Sequence, residues 1–372
     1  MTVPGGITRR TLAVLAVIAV VFGSATPARA DDIRDKQWYW APLKVDQAQR
    51  ITKGEGIIVG LLDTGVDDTH PDLRGAVLPG RHMAQDKPGR NFDSVGHGTG
   101  MAGVIAGRGH GGGRGVLGIA PRAKVIPIEP INDTYLVAQG IRYAVAQGAK
   151  VINLAFNTRD SESLRAAVRE AVAADVVLIG TAGNDGDKDN EPDFPGSYPE
   201  LLTVGAVDRK NKVAKFSNHG EYVDLVAPGV EIPGPAPGDG YVRGNGTSGA
   251  AAIVAGSAAL IRAKYPELTA VEVVDRLTGT AIDRGAKGRD DYYGHGQLDL
   301  LAALTAAQPA PVRSSAPPPA TDAPAAAAVP APADAGGDGI PPLVIVGAGL
   351  VLLLVALPVA AFLIVRSRRA GG

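Results

Sequence analysis

The chain has 372 residues, 45% hydrophobic and 20% charged, so it is too apolar to remain an unfolded polymer. Its 37 basic and 38 acidic residues nearly cancel, which leaves no electrostatic footprint for a nucleic-acid partner. Cysteine is absent, which excludes disulfides, thiolate metal sites and a cysteine nucleophile together, while 49 glycines and 28 prolines demand many turns.

At the N-terminal end, Arg9 and Arg10 precede an apolar stretch, Thr11 to Gly23, and Ala28-Arg29-Ala30 offers small residues where a signal peptidase reads. Residues 1–30 are expected to be a signal peptide, because the apolar run is short for a bilayer. Residues 31–53 are expected to form an N-terminal extension packed on the domain that follows, using Trp38 and Trp40.

Between residues 54 and 308, apolar runs alternate with segments of helical period, the pattern of an α/β domain with a mostly parallel buried sheet. Predicted strands are Ile57 to Leu62, Lys124 to Ile128, Val151 to Phe156, Asp175 to Thr181 and Leu201 to Val207. Predicted helices are Gly98 to Ala106, Tyr135 to Gln147, Ser161 to Ala174, Ser248 to Lys264 and Thr269 to Thr278. Gly107 to Gly115, with His110 inside it, reads as a flexible surface loop.

Residues 309–342 are mostly Ala and Pro with few large apolar side chains, so a semi-rigid extended stalk is expected. Residues 343–365 carry no charge and as a helix would reach ~35 Å, enough to cross a bilayer. Arg366, Arg368 and Arg369 follow, and basic residues stay on the cytoplasmic side. The expectation is a single-pass cell-membrane protein with an extracellular domain and a cytoplasmic tail, 366–372.

Four local patterns could carry chemistry. Asp63-Thr64-Gly65 follows a buried strand, where open parallel sheets gather functional groups. An aspartic-protease pair would need a second such tripeptide, and none exists. Gly96-His97-Gly98-Thr99 puts an imidazole at the start of a small-residue helix, whose dipole disfavours the cation. Asn184, after Thr181-Ala182-Gly183, could donate an amide to an oxyanion. Ser248, in Asn245-Gly246-Thr247-Ser248-Gly249, is either a helix cap or a nucleophile beside convergent backbone N–H groups. A lipase-like assembly of Ser248 with His110-Gly111-Gly112-Gly113 and His295 leaves the other motifs unexplained.

The order Asp63, His97, Asn184, Ser248, with His70-Pro71-Asp72-Leu73, Asp93 to Thr99, Val151-Ile152-Asn153 and Ala227-Pro228-Gly229, resembles subtilisin-type serine proteases. The resemblance implies a three-layer subtilisin-like fold and a serine endopeptidase acting on protein or peptide substrates. It also implies roles: Ser248 attacks, His97 moves the proton, Asp63 orients His97, and Asn184 completes an oxyanion hole. Ala155-Phe156-Asn157 and Thr181-Ala182-Gly183 are then candidate walls of the substrate pocket. No metal or cofactor is expected.

The layout of leader, Trp-rich lead, catalytic domain, stalk and anchor is similar to mycosins, the membrane-anchored subtilases associated with type VII secretion. That likeness implies a membrane secretion complex as a partner, with a scaffold or cap role as the alternative to proteolysis. Two departures stand out: the cysteine pairs common in mycosins are missing, and Gly249-Ala250-Ala251-Ala252 replaces a bulky residue followed by Ala-Ala-Pro.

Overall fold

A computed structural model of the chain describes residues 33–85, 87–89, 93–129 and 133–307. The expected leader, stalk, membrane span and tail lie outside the described residues, among which no helix is long and apolar enough to cross a membrane.

The elements in chain order are α1 (Val45–Ile51), β1 (Ile58–Leu62), β2 (Gly80–His82), β3 (Lys87–Gly89), α2 (His97–Ala106), β4 (Arg108–His110), β5 (Arg114–Leu117) and β6 (Lys124–Glu129). They continue as α3 (Thr134–Ala146), β7 (Val151–Leu154), α4 (Glu162–Ala173), β8 (Val177–Thr181), β9 (Leu202–Val207) and β10 (Leu225–Pro228). Last come β11 (Ile232–Ala236), β12 (Gly240–Gly244), α5 (Thr247–Lys264), α6 (Ala270–Gly279) and α7 (Leu300–Thr305).

Eight strands form one sheet in the order β10-β9-β8-β7-β1-β6-β2-β3, parallel except for the β2–β3 edge pair. Side chains alternate across each strand, and this sorts the core into two layers. Val59 and Leu61 of β1 and Val177 and Ile179 of β8 face α2 and α5. Leu62, Ile152 and Leu178 face α3 and α4. The strands are apolar on both faces because helices cover both, which makes three layers.

α5 is buried from Thr247 to Arg262 and apolar around its whole circumference. It packs against the sheet, α2, α6 and α7 at once, so apolar residues are needed on every side, and buried polar ones such as Ser257 and Arg262 give their hydrogens to backbone or carboxylate oxygens. With alanines in place of a proline, the helix runs without interruption. Gly249 leaves room for Ile232, whose Cγ1 lies 3.2 Å from where a Gly249 Cβ would stand.

Two predicted boundaries and one loop need correction. The strand after α4 begins at Val177, since Asp175 turns in the left-handed region (φ 59°) and accepts from Arg262 Nη1 at 3.0 Å and Ala270 N at 2.6 Å. β7 ends at Leu154 instead of Phe156, where its register with Leu62 and Gly180 runs out. Gly107 to Gly115 is no free loop: β4 and β5 pair as a hairpin held by the fully buried Asp72, which accepts from Val116 N at 2.7 Å and bonds His110 Nδ1 at 2.6 Å.

Residues 33–53 lie along the domain. Gln37 exchanges two hydrogen bonds with the Leu117 backbone, Arg34 Nε donates to Gly115 O at 2.7 Å, and Trp38 Nε1 donates to Val230 O at 2.9 Å. Trp40 is partly buried against the same core and donates to Asp46 Oδ1 at 2.9 Å.

Candidate active site

Asp63 stands one residue beyond β1, at the carboxyl end of a central strand of the sheet. Its Oδ1 accepts from Thr64 N at 2.7 Å, and its two carboxylate oxygens lie 2.7 and 2.9 Å from His97 Nδ1. The Asp63 side chain is 2% exposed and that of His97 18%, so their contact is shielded while the ring keeps an open edge. Because Nδ1 faces a carboxylate it carries the proton, and Nε2 is left as the acceptor.

The pair can meet because α2 starts very close to the loop after β1. A Cβ on Gly98 would stand 2.0 Å from Gly65 O, so any side chain there forces the helix away. Sequence reasoning assigned no role to Asp93, four residues before His97, yet it organises this helix start. Its Oδ1 accepts from Val95 N at 3.0 Å, Gly96 N at 2.7 Å and Thr64 Oγ1 at 2.9 Å. Its Oδ2 accepts from Thr99 N at 2.9 Å and from Thr99 Oγ1. The available signal was an acidic residue just ahead of a predicted helix, where orphan N–H groups need acceptors.

Burial lowers the His97 pKa, but the Asp63 charge, its hydrogen bond and the more distant Asp93 outweigh burial and hold it above the ordinary value of 6.5. The dipole of α2 therefore does not decide the charge of this ring. A base must be neutral to accept a proton, so activity is expected to appear as pH rises through that raised pKa. In Asp63→Asn, burial acts unopposed by Asp63, and the acidic limb of kcat/KM should move to lower pH. Turnover should also fall about 10⁴-fold, because the Asn amide can donate to Nδ1 and hold the ring in the wrong tautomer. A pH–rate profile of both proteins checks this.

Ser248 is the second residue of α5, 8% exposed, with its Oγ 3.4 Å from Ala155 O. The first residue, Thr247, gives its N–H to Asn184 Oδ1 at 2.9 Å and its hydroxyl to the same oxygen at 3.1 Å. A backbone N–H can only donate, so its partner is the amide oxygen and Nδ2 is the donating end of Asn184. The Ser248 N–H is one of the four amides that a helix leaves without an intrahelical partner. A developing negative charge at this helix start can therefore be met by a side-chain amide and a backbone amide.

The candidate pocket residues lie on two runs that continue from the neighbouring strands β7 and β8. Ala155, Thr181, Ala182 and Gly183 are buried, and Gly183 O accepts from Thr247 Oγ1 at 3.3 Å. Phe156 packs partly into the α3–α4 layer. Asn157 is exposed, and its Nδ2 donates to Asp193 Oδ1 at 3.1 Å. The lipase-like assembly is not built: His110 is bound to Asp72, and His295 is exposed with its backbone N–H on Asp224 O.

Comparison with known proteins agrees with this fold. The subtilase family matches residues 54–296. Subtilisin DY of Bacillus licheniformis is 37% identical over 275 residues, covering 71% of this chain and 97% of the relative. Subtilisin E of Bacillus subtilis is 36% identical over 258 residues, covering 67% of this chain and 66% of the relative. Among solved structures, MycP1 with its N-terminal propeptide removed superposes with a TM-score of 0.66 at 30% identity, covering 73% of this chain and 98% of MycP1. Fervidolysin from Fervidobacterium pennivorans, a keratinolytic enzyme related to subtilisin, superposes with a TM-score of 0.67 at 29% identity, covering 77% and 51%. With its parallel sheet, its Asp63–His97 pair and these relatives, the chain belongs to the subtilase family and is a serine-type endopeptidase.

Proposed function

We propose that this endopeptidase works through Asp63, His97 and Ser248, with Asn184 and the Ser248 N–H receiving the oxyanion. The observation that carries the reading is His97 Nδ1 held by both oxygens of a buried carboxylate, on a helix packed against the one that bears Ser248. Ser248 Oγ adds to the peptide carbonyl carbon as its proton passes to His97 Nε2, and Asp63 stabilises the resulting cation. His97 returns the proton to the leaving amine, an acyl group remains on Ser248, and water releases it by the same steps.

Fluorophosphonate labelling of the purified full chain tests the assignment. Wild type should be modified at Ser248 and Ser248→Ala should not; labelling elsewhere, or none in a folded sample, would overturn it. Asn184→Ala should lower kcat about 100- to 1,000-fold with KM little changed, a magnitude that comes from subtilisin. An equal effect on KM would make Asn184 a binding residue.

We further propose that the enzyme is anchored in the cell membrane, with its catalytic domain outside, and serves a type VII secretion complex. The apolar stretch 343–365 with arginines behind it, and the likeness to MycP1 over nearly all of that protein's chain, support this. A deletion strain complemented with Ser248→Ala separates proteolysis from a scaffold role: restored secretion favours the scaffold, and lost secretion with normal protein levels favours the protease.

A further inference from the structure

The catalytic reading leaves the half-buried carboxylate of Asp193 unused. Residues 155–158 run on from β7 and residues 182–184 from β8, two strands that are hydrogen-bonded neighbours in the sheet. Asp193, in the β8–β9 connection, reaches both. Asn157 Nδ2 donates to its Oδ1 at 3.1 Å, and a Cβ on Gly183 (φ +111°) would stand 2.6 Å from its Oδ2. Thr158 N donates to Phe194 O at 2.6 Å, which ties the first run to the segment that carries the carboxylate.

The reacting groups stand at the near end of the same two runs. Ala155 O is 3.4 Å from Ser248 Oγ, and Asn184 directly follows Gly183. Ala155 and Asn157 are two residues apart, so even a fully straight chain would separate them by no more than roughly 7 Å, and the bend at Phe156 brings them closer. A lysine or arginine side chain carries its charge on the order of 6 Å from its own Cα. Such a side chain, on the residue whose carbonyl meets Ser248, spans the interval to Asp193.

We propose that Asp193 selects substrates with lysine or arginine immediately ahead of the scissile bond, by pairing with the side-chain cation. The inference rests on the reading of Ser248 as nucleophile. Among the described residues, the groups acting on the Asp193 carboxyl are the Asn157 amide and two further acids, Asp185 and Asp189, with no cation between them. Burial pushes its pKa up, the two acids add to the rise, and the Asn157 hydrogen bond opposes it. An incoming cation relieves both the burial and the crowding of negative charge. Residues 185–193 contain five acids and one lysine, Lys188, which is already bound to Asp185, so the field around Asp193 attracts cations.

The test uses the full chain in detergent and peptides that differ only in the residue ahead of the scissile bond. Lysine, arginine, norleucine and leucine are compared, norleucine matching the lysine stem without its charge. The expected result is a kcat/KM for lysine and arginine about 10- to 100-fold above norleucine, and a fall in that ratio towards one in Asp193→Asn. A merely structural role for Asp193 would lower all substrates together and leave the ratio unmoved. A wild-type enzyme that cleaves norleucine as well as lysine, or an Asp193→Asn variant with an unchanged ratio, overturns the inference. The wild-type comparison needs no variant to fold. If no peptide is cleaved and fluorophosphonate labelling also fails, the Ser248 assignment falls, and the specificity with it.

Discussion

Ser248→Ala is expected to lose about 10⁶-fold in kcat, the scale set by the serine of subtilisin, while keeping its fold. The loss is large because Ser248 and His97 act on one proton and one carbonyl, so either residue alone is of little use. His97→Ala should cost about as much, and the double variant hardly more. Asn184 and the Ser248 N–H should still leave a rate about 10³-fold above water. Stability should change by less than about 1 kcal/mol, since the Ser248 hydroxyl makes only a long 3.4 Å bond to Ala155 O. Peptide turnover and a thermal melt read the two effects separately. A variant that retained turnover within tenfold of the parent would remove Ser248 from the chemistry.

The second large effect is expected at Asp93, which touches no substrate. Asp93→Ala strips the acceptor from the N–H groups of Val95, Gly96 and Thr99 and from two hydroxyls, in a site where Asp93 is 8% exposed. Each buried donor left without a partner costs about 1–3 kcal/mol, so a total of at least ~3 kcal/mol is expected after some donors find water. For a domain of this size that lowers Tm by roughly 6–12 °C. The start of α2 should loosen and carry His97 off the Asp63 carboxylate, and a misplacement near 1 Å costs about 100-fold in turnover. Asp93→Asn should fall between parent and Ala, since an amide supplies one acceptor oxygen where the carboxylate supplies two. A melt within ~1 °C of the parent, with normal kcat, would show that the helix start holds by other means.

The parallel sheet was legible because β1, β7, β8 and β9 are apolar on both faces, a pattern that only a sheet covered by helices explains. Asp63, His97, Asn184 and Ser248 were legible because each has a short motif with its own chemical logic. The edges were not. β4 and β5 read as a glycine-rich loop, since the contact that orders them comes from Asp72, distant in the chain. β10, β11 and β12 were not read as strands, because Pro228 falls in β10, Pro233 and Pro235 in β11, and β12 is bounded by Gly240 and Gly244; each is held by a neighbour or by α2, which propensity does not register.

Asp93 and Asp193 show the same limit from the functional side. An acidic residue ahead of a helix hints at a capping role, but which donors Asp93 gathers, and that Asp193 lies beside Asn157 and Gly183, follow only from their partners in space. Residue types in order were enough to determine the family and its reaction, and to nominate the groups proposed to attack, to move the proton and to receive the charge. Charge and closeness are properties of space, and the tertiary structure alone decided them. It placed Gly65 O against Gly98 so that His97 reaches Asp63, gathered five donors on Asp93, and set beside Asn157 and Gly183 a carboxylate that has no cation partner among the described residues.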